Sequence, residues 1–184
     1  MIKFSPFSPI VGQLPISGEL RCVYERFVTH NNSVTIGGSF NYLNLAYRLL
    51  VFLVDTAVRG RINLIGGRVQ AGYRIYPLSG FKAPEGFWFG PTISYNYARL
   101  YIVRSNGSTL DYHLFNTGML AGYQLNFQKH WYFEAFGGLG YKNNIGIYTD
   151  GLSGRKERYN IGFPPLPVLR HIKIYLAVHF GYAF

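Results

Sequence analysis

The chain has 184 residues and a formal net charge of +10, and its composition differs from that of an ordinary soluble domain. Charged residues make up 14% of it, against about 25% in typical soluble proteins, whereas aromatic residues reach 18%. Many rings and 22 glycines favour an all-β fold with tight turns. A single cysteine, Cys22, excludes an internal disulfide, and the longest apolar run, residues 49–54, is too short for a transmembrane helix of about 18 residues. We therefore expect one all-β domain over residues 1–184 and, because the basic residues are scattered, no nucleic-acid partner.

Alternation of apolar and polar side chains with a period of two recurs along the chain and predicts strands. The clearest case is the closing stretch "HIKIYLAVHFGYAF", residues 171–184. Its even positions are all apolar or aromatic, and its odd positions are mostly small, polar or basic. The same pattern predicts eight strands in chain order, over residues 2–7, 17–28, 34–42, 68–76, 86–103, 114–127, 131–142 and 171–184.

The connections between these strands predict how they are arranged. Short connections at residues 29–33, 78–85 and 128–130 fall at one end of a meander, together with both termini. The long segments 44–62 and 149–167 fall at the other end, and we expect them to be long extracellular loops. This arrangement predicts an eight-stranded antiparallel up-and-down transmembrane β-barrel in which the last strand pairs with the first, because a closed barrel leaves no edge.

The apolar face of these strands is expected to point outward, toward lipid. An eight-stranded barrel has too little interior volume for the many rings on that face, whereas the small and polar residues of the opposite face fit. The predicted strands also exceed the ~9–11 residues that cross a bilayer. Aromatic residues at strand ends beside the short turns are expected to form an interfacial girdle of Phe127, Trp131, Tyr132, Tyr182 and Phe184.

Five blocks, "GYRIYP", "APEGFWFGPTISY", "AGYQLNF", "FEAFGGLGY" and the closing "GYAF", make the chain similar to the small outer-membrane β-barrel proteins of Bacteroidetes. The resemblance implies a location in the outer membrane of a Gram-negative bacterium and a role as a structural protein or as an accessory subunit of a larger outer-membrane complex. It also implies a cleaved signal peptide. The opening stretch "MIKFSPFSPIVG" contains two prolines and no clean apolar core, so it is not itself a signal peptide. We therefore expect that Met1 replaces a signal peptide or follows one that has been removed.

The terminal strand resembles the signal that outer-membrane proteins present to their assembly machinery during insertion. Phe180, Tyr182 and Phe184 occupy the positions that carry this membrane-insertion signal. The partners expected from the resemblance are therefore outer-membrane lipid, lipopolysaccharide and that machinery.

The polar faces of the strands predict a network of ion pairs and hydrogen bonds inside the barrel, because buried charges require partners. Its expected members are Glu19, Arg21, Glu25, Arg68, Arg74, Glu134, Lys142, His171, Lys173 and His179. A proton or ion path, or a pore for small solutes, is the alternative interpretation of the same residues.

No catalytic residues, metal or cofactor are expected. His171 and His179 are separated by roughly 26 Å along one strand, too far to share a metal ion. The alternatives are an enzyme that modifies the acyl chains of lipid A, for which Ser108, Asp111 and His113 would be an active-site fragment, and a soluble ligand-binding barrel.

Two loop segments are candidates for docking. In residues 44–61, Leu45, Leu49 and Leu53 recur every four residues, which is helical spacing and predicts either a helix packed on the rim or an apolar surface for a larger complex or the outer leaflet. The basic segment "SGRKERYN", residues 153–160, is a candidate for contact with lipopolysaccharide phosphates.

Overall fold

The computed structural model describes residues 1–6, 8, 17–44, 62–77, 85–102, 107–127, 130–160 and 171–184. All regular structure in these ranges is β-strand. The nine strands are β1 (Ile2–Phe4), β2 (Ser17–Thr29), β3 (Asn32–Leu43), β4 (Ile62–Ile75), β5 (Gly86–Ile102), β6 (Ser108–Phe127), β7 (Trp131–Thr149), β8 (Lys156–Asn160) and β9 (Ile172–Tyr182).

Eight of the strands form a closed antiparallel ring in which each pairs with the next along the chain, from β1 to β7 and then to β9. The ring closes where β1 pairs with β9, with Phe4 opposite Phe180 and Ile2 opposite Tyr182. The predicted eight-stranded up-and-down barrel is therefore confirmed, including the pairing of the last strand with the first. We call the end with both termini and residues 30–31 and 130 the turn end, and the opposite end the loop end.

The barrel wall has unequal height around its circumference. β7 pairs with β9 through residues 131–141 and with the extra strand β8 through residues 145–149, so part of the predicted 149–167 loop is strand. On the opposite side of β9 the short β1 pairs through only three residues. Among the described residues, the β2 segment 17–21 and the β9 segment 172–179 therefore have no strand partner at this seam.

Several strands extend further toward the loop end than the alternation predicts. β4 begins at Ile62, β6 begins at Ser108, and β7 continues to Thr149. The outward positions in these extensions mix polar residues such as Asn63, Asp111 and Asn143 with apolar ones such as Ile65 and Ile147. Backbone pairing continues there while the apolar alternation becomes irregular, which is why the sequence pattern ends too early.

Successive side chains of each strand point alternately into and out of the barrel. The inward side chains pack in layers. Leu43, Leu64, Ala98 and Leu100 form an apolar cluster at the loop end. Tyr76, Trp88 and Phe136 form an aromatic cluster at the turn end. Polar and charged side chains occupy the space between and around these clusters.

Glycine is required at inward positions where neighbouring strands approach closely. A Cβ atom at Gly90 would lie 1.9 Å from the carbonyl oxygen of Tyr73, and one at Gly138 would lie 2.1 Å from that of Met119. Both contacts are far shorter than van der Waals distances, so a side chain at either position would force the strands apart.

Candidate functional site

The outer surface of the barrel is a continuous belt of apolar side chains. Leu176 is 84% exposed and Leu139 is 63% exposed, although both lie in the middle of long strands. Exposed apolar residues of every ring strand contribute to the belt, among them Phe4, Leu20, Ile36, Phe40, Ile65, Val69, Ile93, Met119, Leu125, Leu139, Ile174, Leu176 and Phe180. Soluble proteins rarely expose contiguous apolar patches of more than a few hundred Å², so this belt is unusually apolar for a protein surface.

Aromatic rings border the belt at the turn end. Trp131 and Tyr182 pack edge to face with ring centroids 5.3 Å apart, and Phe133 and Phe180 do the same at 5.2 Å. Phe180 and Tyr182, two residues of the expected insertion signal, thus point outward, and Phe184 is 80% exposed.

One member of the expected girdle lies elsewhere. Tyr132 is buried, because it is out of phase with its outward neighbours Trp131 and Phe133 on β7. Its assignment to the girdle was wrong, since a two-residue period places adjacent residues on opposite faces of a strand. Phe127 is exposed and keeps its expected place.

Polar side chains border the belt toward the loop end. Arg99 and Asp111 form a two-point ion pair, with Nε–Oδ1 and Nη2–Oδ2 distances of 2.5 and 2.9 Å. The Tyr97 hydroxyl donates to the same carboxylate at 3.1 Å, and Tyr95 and His113 are hydrogen-bonded at 2.7 Å. These contacts mark the level at which the outer face turns from apolar to polar.

The proposed fragment of an acyl-modifying active site is not assembled. Asp111 and His113 lie on the outer side of β6, whereas Ser108 is buried on the inner side and accepts a hydrogen bond from the backbone N–H of Gly151. Ser108 and Asp111 lie three positions apart, an odd spacing, so the pleat of β6 directs them to opposite faces.

Inside the turn end, four charged residues form what we call the base cluster: Lys3, Glu25, Arg74 and Glu134. The Lys3 ammonium lies 2.6 Å from Glu25 and 2.8 Å from Glu134, and Arg74 lies 3.1 and 2.7 Å from the same two carboxylates. Each of the two cations is thus paired with both carboxylates. All four residues are buried, and such a charge-balanced arrangement is the one that a low-dielectric interior tolerates.

Neutral groups complete the base cluster. Tyr76 donates to Glu25 at 2.9 Å, Lys3 donates to Gln124 at 2.6 Å, and the ring of His179 contacts Glu134 at 3.3 Å. The Arg74 guanidinium lies 4.0 Å from the centre of the Trp88 ring. Together with the aromatic cluster, these side chains fill the turn end of the barrel.

Further toward the loop end, four other charged residues form what we call the wall cluster: Glu19, Arg21, Arg68 and Lys173. Glu19 accepts hydrogen bonds from Ser39 at 2.6 Å and from Arg68 at 3.4 Å. Arg21 donates to the amide oxygen of Gln70. Lys173 lies 4.9 Å from the centre of the Tyr175 ring. Here one carboxylate faces three cations.

A cavity of about 830 Å³ adjoins the wall cluster at the seam between β2 and β9. Arg21, Arg68 and Lys173 line it from the interior, whereas Ile174 and Leu176 line it from the outer face of β9. The cavity therefore adjoins both the polar interior and the apolar outer face of β9, and Ser5 and Ser8 line it at the seam.

The sequence-predicted network divides into two clusters and some residues outside them. His171 is exposed and stacks on the outward ring of Tyr141, with centroids 5.4 Å apart, so it lies outside the interior. Lys142 is half-buried and makes no ion pair among the described residues. The docking candidates Leu45, Leu49 and Leu53 lie outside the described residues.

Several interior partners were missed by the sequence reasoning. Lys3 lies in a three-residue strand too short to show alternation, and Gln124, Tyr76 and Trp88 are single inward residues among outward rings. Once Phe4 is assigned outward opposite Phe180, however, the strand period places Lys3 inside. That register is the signal that would have found it.

Outside the apolar belt, Asp150 organises the turn between β7 and β8. Its carboxylate accepts hydrogen bonds from the Ser153 hydroxyl at 2.6 Å and from the backbone N–H groups of Leu152 and Ser153 at 3.4 and 3.2 Å. Because these donors stabilise the charged form, led by the Ser153 hydroxyl, they lower the pKa of Asp150.

Comparison of the chain with protein-family models, with curated proteins and with solved structures found no match. No group of three or more potential metal ligands occurs within the described ranges. In the same ranges, no helix has the length and apolar character needed to cross a membrane.

Proposed function

We propose that this chain is a non-enzymatic integral β-barrel of the outer membrane of a Gram-negative bacterium, acting as a structural protein or as an accessory subunit of a larger outer-membrane complex. The observation that carries the proposal is the inverted distribution of polarity: the apolar belt faces outward and the charges face inward. In a soluble barrel the two faces would be exchanged, because water favours the opposite arrangement.

The dimensions of the belt support the same proposal. On β5 the outward residues are apolar or aromatic from Phe87 to Tyr97, where polar contacts begin. That distance is about 33 Å along the strand, or about 25 Å across a bilayer at a typical strand tilt. This matches the usual height of the apolar band of outer-membrane barrels.

Both ends of the belt suit a membrane interface. The girdle at the turn end contains Trp131 and Tyr182, which are the residue types enriched at membrane surfaces. At the loop end, the hairpin formed with β8 carries the exposed Arg155, Lys156 and Arg158 above the belt. In this proposal they contact lipopolysaccharide phosphates.

Two exposed leucines provide a matched test of membrane insertion. Leu176 lies in the belt and is 84% exposed, and Leu152 lies in the β7–β8 turn and is 78% exposed. In lipid vesicles, Leu176→Arg should destabilise the folded barrel by about 2–4 kcal/mol, and Leu152→Arg should have almost no effect. A soluble barrel would tolerate both equally, so equal urea midpoints for the two variants would overturn the proposal.

The accessory role requires a separate test on native membranes. The full chain, tagged at a loop-end position, is extracted in mild detergent and purified, and the eluate is examined on heated and unheated gels. A heat-dependent shift together with a stoichiometric partner supports the accessory subunit. A heat-dependent shift without any partner supports the structural role alone.

A further inference from the structure

The interior of the barrel contains more positive than negative charge. Its inward carboxylates among the described residues are Glu19, Glu25 and Glu134, and the base cluster uses the last two to balance Lys3 and Arg74. Glu19 remains as the one carboxylate of the wall cluster, facing Arg21, Arg68 and Lys173.

Acidic residues elsewhere in the described structure do not supply the missing charge. Asp111 is paired with Arg99 on the outer face, Asp150 and Glu157 lie in the hairpin of β7 and β8, and Glu85 lies at the turn end. The segment 9–16, which follows β1 in sequence, contains no acidic residue. The eighth acidic residue, Asp55, lies outside the described residues.

Unused hydrogen-bond donors surround the same cavity. The Nε atoms of Arg21 and Arg68 and the hydroxyl of Tyr175 are buried and have no hydrogen-bond partner among the described residues. Arg68 is 6% exposed and Tyr175 is 9% exposed, so water at the surface does not satisfy them. All three residues line the cavity, and a buried donor without an acceptor costs about 1–3 kcal/mol.

We propose that the cavity at the seam between β2 and β9 binds a phosphate-type oxyanion, held by Arg21, Arg68 and Lys173. An oxyanion supplies both of the missing features, since its negative charge balances the excess cations and its oxygens accept from the unused donors. Guanidinium groups match the oxygens of such anions in geometry and charge. The site is independent of whether the barrel serves as an accessory subunit.

Two sources of this anion fit the cavity. A lipid whose headgroup carries a phosphate can enter from the belt, because Ile174 and Leu176 line the outer side of the cavity. Free phosphate is the second source, and it carries the same oxyanion chemistry. The volume of about 830 Å³ lies within the range of small-ligand sites and accommodates either ligand.

Isothermal titration calorimetry of the refolded full chain in an uncharged detergent tests the proposal. The probes are inorganic phosphate, dihexanoyl phosphatidic acid and, as a lipid with no net charge, dihexanoyl phosphatidylcholine. Binding of phosphate and of phosphatidic acid at similar strength supports a free oxyanion site, and binding of phosphatidic acid alone supports a lipid site. No binding, or equal binding of the two lipids, overturns the proposal.

Variants identify the residues that hold the anion. Arg21→Gln and Lys173→Met, separately and together, should weaken binding at least about tenfold, and Glu19→Gln should strengthen it by removing the competing carboxylate. Arg26→Gln removes the same charge from the exposed outer side of β2 and should leave binding unchanged. If the double variant binds as the wild type does, or if Arg26→Gln weakens binding as much, the assignment fails. The heat-dependent gel shift shows that each variant is folded.

Discussion

The base cluster and the wall cluster lie inside the same barrel and are built from the same residue types, but they differ in charge balance. In the base cluster two cations share two carboxylates at 2.6–3.1 Å, so the charges balance, although Trp88 Nε1 and His179 Nε2 have no hydrogen-bond partner among the described residues. In the wall cluster the one ion pair among the described residues joins Glu19 and Arg68 at 3.4 Å, and a cavity lies beside the remaining cations. The first arrangement suits a structural plug, and the second suits a binding site.

Position along the wall explains the difference. The base cluster lies where β1, β2, β4 and β7 bring Lys3, Glu25, Arg74 and Glu134 together behind the closed ring. The wall cluster lies at the seam where β1 has already ended. Charges in a fully enclosed space must balance internally, whereas charges beside an opening can be balanced by a ligand.

The largest expected effect is the loss of a base-cluster carboxylate. Glu134→Gln leaves Lys3 and Arg74 to share Glu25. It should lower the free energy of unfolding by about 3–5 kcal/mol, because one buried positive charge then has no carboxylate to balance it. Urea unfolding followed by tryptophan fluorescence measures this. Glu19→Gln in the wall cluster should cost clearly less, and equal losses would contradict the distinction between the clusters.

A smaller effect is expected from a matched pair of tyrosines. Tyr76→Phe removes a hydrogen bond of 2.9 Å to the Glu25 carboxylate and should cost about 1.5–3 kcal/mol. Tyr175→Phe removes a hydroxyl that has no partner among the described residues and should not destabilise the protein in phosphate-free buffer. The same urea midpoints decide the outcome, and a loss at Tyr175 as large as that at Tyr76 would refute the prediction.

Removal of an arginine from the wall cluster should not destabilise the fold. In phosphate-free buffer, Arg21→Gln relieves repulsion from Arg68 and should leave the free energy of unfolding unchanged or raised, within about 1 kcal/mol. Arg74→Gln in the base cluster removes an equal charge and should be strongly destabilising. A comparable loss for both variants would show that the wall cluster is a structural plug as well.

The turn at Asp150 lies outside both clusters and gives the smallest effect. Asp150→Ala should speed amide exchange at Leu152 and Ser153 without moving the urea midpoint, as seen by NMR in detergent. Because the pKa of Asp150 is lowered in the folded chain, its contribution is present above the usual value of 3.8 and is lost as the pH falls through the lowered pKa. Unchanged exchange in the variant would show that the carboxylate does not order the turn.

The sequence alone determined the barrel and the polarity of its two faces. Alternation over β2, β5 and β9 assigns the apolar residues to one face along the whole strand, and closure follows from the need to pair the last edge. The pattern ended too early on β4, β6 and β7, where the apolar alternation becomes irregular while the backbone remains paired. Tyr132 was assigned to the girdle because of its residue type, although its position in the two-residue period of β7 places it inside the barrel.

Only the tertiary structure decided which charges meet. Lys3 and Glu134 are 131 positions apart in the chain but 2.8 Å apart in the barrel, because β1 and β7 both pair with β9. Alternation assigns a residue to a face but not to a height or to a partner across the interior. The short length of β1, and with it the seam and cavity beside Arg21 and Lys173, likewise depends on how the ring closes.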